Sequence, residues 1–108
     1  MGLYDGAISV ITIVATGGFD PIHTGHINYL KEAAGACTRL VVGVNSDAWL
    51  IRKKGRAFMP FEERAAIVEA LGCVDEVIAF DDSDGTAIDC LEQVKRNYPM
   101  DTIIFVNG

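Results

Sequence analysis

The chain has 108 residues, half of them apolar, which suffices for one domain with a modest core. It contains no run of about eighteen apolar residues, so no segment reads as a membrane-spanning helix. The net charge of −6 argues against a general nucleic-acid partner, whose phosphates are held chiefly by distributed lysine and arginine.

Ile8 to Ala15 is a run of apolar and β-branched residues interrupted only by Ser9 and Thr12, which predicts a first strand buried on both faces. Gly17 and Gly18 then let the backbone turn tightly and approach a ligand. From about Thr24 the spacing becomes helical, with Ile27, Leu30, Ala33 and Ala34 on one stripe. Arg39 to Val44 predicts a second strand, followed by Asn45-Ser46-Asp47 and a basic loop with Gly55 as a break. Pro60 suits a second helix start, Glu62 and Glu63 favour its first turn, and Gly72 closes it. Val74 to Phe80 predicts a third strand, and Asp81-Asp82-Ser83-Asp84-Gly85 a turn. Ile88, Leu91 and Val94 mark a third helix that stops near Tyr98-Pro99, before a fourth strand from Thr102 to Val106. Strands alternating with helices imply an α/β fold, a Rossmann-like parallel sheet of about four strands with three main helices. Ligands bind such sheets beyond the carboxyl ends of the strands, at the switch point, so the glycine turn and Asn45-Ser46-Asp47 fall on one rim. The last strand would be an uncovered apolar edge, which predicts either a C-terminal segment missing after Gly108 or a partner subunit.

The chemistry concentrates in Thr16-Gly17-Gly18-Phe19-Asp20-Pro21-Ile22-His23-Thr24-Gly25-His26. A strand, a glycine turn and a helix N-terminus in this order attract anions, through unpaired N–H groups and the positive end of the helix dipole. His23 and His26, three apart, can face a bound phosphate from one side of the first turn. As metal ligands they would need carboxylates from elsewhere, and the anion reading accounts for both without a metal. Four of the nine basic residues, Arg52, Lys53, Lys54 and Arg56, fall within five positions, whereas Asp75 to Glu92 holds seven acids and no base. One concentrated basic segment on an acidic protein suits a small, highly charged ligand, though a charge run is also compatible with a solvated surface. Asp81, Asp82 and Asp84 read as a solvated turn in preference to a cation site, and Trp49 reads as packing in preference to a base-stacking platform. The odd number of widely spaced cysteines, Cys37, Cys73 and Cys90, points to reduced thiols in a cytoplasmic protein. A redox dinucleotide fold fits poorly, since no G-x-G-x-x-G follows the first strand and no acid ends the second.

The stretch from Gly17 to His26 resembles the HxGH signature of the nucleotidyltransferase superfamily. Val44-Asn45-Ser46-Asp47, Lys53 or Lys54, Gly55-Arg56, Pro60, Arg64, Leu71 and Val74-Asp75-Glu76-Val77-Ile78 extend the resemblance to bacterial glycerol-phosphate cytidylyltransferases and, more closely, to the ADP-forming domain of heptose-phosphate enzymes. It implies a single nucleotidyltransferase domain over 1–108 that moves CMP or AMP from CTP or ATP to a phosphorylated sugar, polyol or amino alcohol, with Mg²⁺ carried on the nucleotide phosphates. His23, His26, Lys53 and Lys54 would then be catalytic. Thr16, Gly17, Gly18, Phe19, Asp20, Gly25 and Arg64 would form the nucleotide site, with Asp20 bracing the turn; Asn45 and Arg56 would bind the acceptor. A homodimer is expected from the same resemblance. Two departures stand out. Relatives usually carry Thr, Ser or a larger residue at the position of Gly18, and Pro21-Ile22 is similar to nicotinate-mononucleotide adenylyltransferases. A shortened module that binds nucleotide without turnover is the alternative reading.

Overall fold

The computed structural model describes residues 10–107, so the expected strand start at Ile8 and Ser9 lies outside the described residues. Its elements run β1 (Ile11–Gly17), α1 (Thr24–Gly35), β2 (Arg39–Val44), α2 (Asp47–Lys54), α3 (Phe61–Glu69), β3 (Glu76–Ala79), α4 (Ile88–Asn97) and β4 (Thr102–Asn107). The four strands form one parallel sheet in the order β3-β2-β1-β4. β1 is therefore central, which explains why Thr12, Ile13, Val14 and Ala15 are all buried although they point alternately to opposite faces.

The two faces have separate cores. Ile13 and Ala15 of β1 and Leu40, Val42 and Val44 of β2 pack with Leu30 and Ala33 of α1 and Val68 of α3. On the other face Val14 and Val41 meet Cys90 and Val94 of α4, with Phe80 beside them. Each fully buried aliphatic side chain contributes roughly 1.5–3 kcal/mol, so these two layers fix which rim the helix starts share. Burial pushes the Cys90 thiol up to about 12, reinforced by the Asp89 charge, which makes it an inert packing group. All three cysteines are free.

The fold differs from the sequence expectation chiefly in one added helix, with β3 also shorter than expected, at Glu76–Ala79. Residues taken as a basic loop form the helix α2, capped by Ser46, whose Oγ accepts the Trp49 N–H at 3.1 Å. Gly55 closes it in the left-handed region at φ 89°. Asp47 lies in the first turn of α2 and Arg52, Lys53 and Lys54 in the last, as the helix dipole favours. Among the described residues the sheet thus carries four helices rather than three. α3 also ends at Glu69, short of Gly72, where the chain tightens into bonds from Ala70 N–H to Ile67 O and from Leu71 N–H to Val68 O.

Because the chain runs from β1 outward to β2 and β3 and then returns to β4, the strand order reverses between β1 and β4. α1 and α4 begin on opposite faces of that crevice.

Candidate active site

The turn after β1 is held in an unusual shape. Phe19 adopts φ 53°, a left-handed conformation rare for a bulky residue, and is kept there by burial, at 2% exposure, and by an edge-on contact with the His26 ring at 5.2 Å between centroids. Further along the motif the imidazoles of His23 and His26 come together, 3.9 Å between centroids and tilted by 30°.

Their orientation follows from two backbone donors. The Gly25 N–H donates to His23 Nδ1 at 3.0 Å, and the His23 N–H donates to His26 Nδ1 at 3.1 Å. An N–H cannot donate to a protonated nitrogen, so each neutral ring carries its proton on Nε2. The result is a pair of Nε2–H donors at the N-terminus of α1. Gly25 is required for this arrangement: a Cβ there would lie 2.8 Å from His23 Cε1 and 3.0 Å from Nδ1. The amides expected to cradle an anion are partly consumed, since Gly25 N–H caps to His23 and His26 N–H bonds to His23 O at 3.0 Å. An anion at this terminus would therefore meet the imidazoles rather than these amides. Burial, and then the charge on His23, lower the His26 pKa below its ordinary 6.5.

A second set of bonds ties the loops of the rim together. The Asp20 side chain, 1% exposed, accepts the N–H groups of Phe58 at 2.7 Å and Met59 at 2.8 Å and pairs with Lys54 at 2.9 Å. Burial alone would raise its carboxyl; these donors and the Lys54 charge outweigh it and hold the group below the usual carboxylate range. Arg64, read from sequence as a nucleotide ligand, is fully buried in α3. Its guanidinium donates to the carbonyls of Met59 at 2.9 Å, Gly18 at 2.8 Å and Asn45 at 2.7 Å, and to Asp47 at 2.6 Å. One side chain therefore joins the glycine turn, the end of β2, the start of α2 and the loop before α3. Gly18, in turn, lets α2 approach, since a Cβ there would fall 2.8 Å from Leu50.

Asp82, taken from sequence as part of a solvated turn, is 4% exposed. It accepts Asn45 Nδ2 at 3.0 Å, Ser46 N–H at 2.8 Å and Ser46 Oγ at 2.6 Å. Burial favours a raised carboxyl here too, and the three donors reverse it. Asp81 and Asp84 point elsewhere, to Ser83 and Thr86, and among the described residues no three acidic, histidine or cysteine side chains converge on a common point.

Between β1 and β4, on the α4 side, the rim opens into a cleft of about 440 Å³. Thr16, Gly17, Asn45 and Lys53 line it, as does Trp49, and Lys53 Nζ sits over the Trp49 ring, 4.6 Å from its centroid. Sequence reasoning did not find its far wall, because Phe105 and Asn107 reach β1 only through the β4 return, and Gly85 to Ile88 only through the docking of α4 on the sheet. His23 and His26 are outside this lining, one loop further along the same chain. Arg56 is outside this lining too, exposed, with its guanidinium 4.4 Å from the Phe58 ring centroid.

A family model described as cytidylyltransferase-like matches residues 14–108, from the middle of β1 onward. The chain belongs to the cytidylyltransferase-like family. This places it among the nucleotidyltransferases. The cytidylyltransferase-like domain is 46% identical over 74 residues to the bifunctional protein HldE of Syntrophotalea carbinolica, covering 66% of this chain and 15% of that protein. It is 40% identical over 85 residues to the bifunctional protein HldE of Geobacter sulfurreducens, covering 77% and 17%. The chain thus spans less than a fifth of the length of these two relatives. Among solved structures, the lipopolysaccharide core biosynthesis protein from Thermoplasma volcanium matches with a TM-score of 0.69 and 28% identity, covering 92% of this chain and 96% of that one. A protein of unknown function from Archaeoglobus fulgidus shares the fold at a TM-score of 0.56 and 22% identity, covering 89% and 98%. No helix among the described residues is long and apolar enough to cross a membrane.

Proposed function

We propose that this protein transfers CMP or AMP from CTP or ATP to a small phosphorylated acceptor, a sugar or polyol phosphate or a related compound, with release of pyrophosphate. The observation that carries the reading is the pair of Nε2–H donors fixed side by side at the N-terminus of α1.

An acceptor phosphate oxygen attacks the α-phosphorus in line. The new P–O bond forms as the bond to the bridging oxygen breaks, and pyrophosphate leaves with that electron pair. A phosphate monoester, with a second pKa of about 6, is already mostly ionised at neutral pH, so no strong general base is needed. The protein contributes alignment and donors for the charge that builds on the phosphate oxygens. His23 and His26 supply two such donors, and the exposed Lys53 supplies a cation across the rim. Lys54 and Arg64 act at one remove: Lys54 through Asp20, and Arg64 through the carbonyls of Gly18 and Asn45. Mg²⁺ enters as part of the nucleotide substrate. The likeness to HldE proteins and to a lipopolysaccharide core biosynthesis protein supports a sugar phosphate as acceptor.

The test is pyrophosphate release from CTP or ATP across a panel of sugar, polyol and amino-alcohol phosphates. Release that requires one acceptor class supports the reading. Nucleotide binding without release from any acceptor would make the protein a nucleotide-holding module instead.

A further inference from the structure

The cleft between β1 and β4 has a charge character that its size alone does not reveal. Its lining contains asparagine, threonine and one cation, Lys53, and among the described residues no carboxylate. A cationic head group is normally held by a carboxylate or by an open aromatic face. Here the Trp49 ring is already occupied by Lys53 Nζ, 4.6 Å from its centroid, with the two residues one helical turn apart on α2. An ammonium entering the cleft would meet a like charge where it needs a counter-charge. Asn45 and Thr16 offer hydrogen bonds suited to neutral hydroxyl groups, although Asn45 is also anchored to Asp82.

Position supports the acceptor as the occupant. In-line transfer sets the attacking and leaving oxygens on opposite sides of phosphorus. The histidine pair starts α1 on one face of the sheet, and the cleft opens on the α4 face, with the end of β1 between them. With pyrophosphate held at the histidines, the acceptor approaches from the cleft.

Resting on the proposed transfer reaction, we infer that Trp49 and Lys53 act together as a charge filter. The cleft takes an acceptor whose body is neutral and polyhydroxylated, a sugar or polyol phosphate, and rejects phosphorylated amino alcohols. Lys53 attracts the phosphate and denies the Trp49 face to a cation.

Trp49 is the single tryptophan of the chain, so its emission reads the cleft without any turnover. Glucose 1-phosphate, glycerol 3-phosphate, phosphocholine and inorganic phosphate are titrated into the purified protein, with and without a non-hydrolysable CTP or ATP analogue. The expected result is saturable change with the sugar or polyol phosphate, at an affinity about tenfold or more above that of phosphocholine. Lys53→Met should narrow that gap and Lys53→Arg preserve it, with circular dichroism verifying that both variants fold. Phosphocholine binding as tightly as the neutral compounds overturns the inference, as does a silent Trp49 or equal binding of inorganic phosphate. Discrimination in emission without pyrophosphate release would instead sink the transfer reaction and leave the filter standing.

Discussion

At the scale of single residues, the glycine between the two histidines has a defined task. A Cβ at residue 25 competes for the space of the His23 ring, which is exposed and can swing away. Gly25→Ala should therefore cost only about 1 kcal/mol, the worth of an N-cap, while turnover falls about a hundredfold because one donor leaves its position. Chemical denaturation and steady-state kinetics on the same sample separate the two effects; equal loss in both would contradict this role. Arg64 behaves in the opposite way. Arg64→Ala leaves three carbonyls and the half-exposed Asp47 without their donor; leaving a buried acceptor unsatisfied costs about 1–3 kcal/mol, and with three carbonyls affected the loss should fall at or above the upper end of that range. Arg64→Lys should recover only part of it, since one ammonium cannot reproduce the guanidinium fork. A stability change below about 1 kcal/mol, the value of an exposed pair, would refute the bracing role.

At the scale of elements, α2 is the instructive case. Its signals are present in the sequence: Ser46 as cap, Asp47 in the first turn, three bases in the last, and Gly55 just after. Four bases within five positions give the segment the composition of a solvated charge run, which masks these signals. The histidine motif was legible because glycine, histidine and helix spacing are all local. Arg64 and Asp82 were not: apart from Met59, the partners of Arg64 stand 17 to 46 residues away, and those of Asp82 36 to 37. No periodicity within α3 distinguishes an arginine that reaches inward from one that faces water. The role of Asp82 gives a prediction for this scale. Asp82→Ala leaves Asn45 and Ser46 without their acceptor, so the β2–α2 junction should loosen at a cost of about 1–3 kcal/mol. Amide exchange at Asn45, Ser46 and Trp49 should accelerate more than at the centre of β1; uniform exchange would contradict it.

At the scale of the whole molecule, stability should fall with acid in two stages. His26 has a lowered pKa in the folded chain, so its contribution is complete above pH 6.5 and is lost as pH drops from there through the folded value. Asp20 and Asp82 are lowered as well; their contributions are complete above pH 3.8 and disappear below it. Thermal melts should show an early decline that His26→Gln removes and a later one that it leaves. A flat melting temperature from pH 6.5 down to 3.8 would exclude the early stage. The same scale sets the site itself: the crevice exists because β4 returns beside β1, leaving α1 and α4 on opposite faces of one strand end. The most direct measurement is the formation of nucleotidylated acceptor from α-labelled CTP or ATP, compared between the unmodified protein and His26→Ala. The expected result is product with the unmodified protein and a kcat lower by about 10²–10³-fold in the variant. Equal kcat in the two proteins, or no labelled product with any phosphorylated acceptor, would contradict nucleotidyl transfer at the histidine pair.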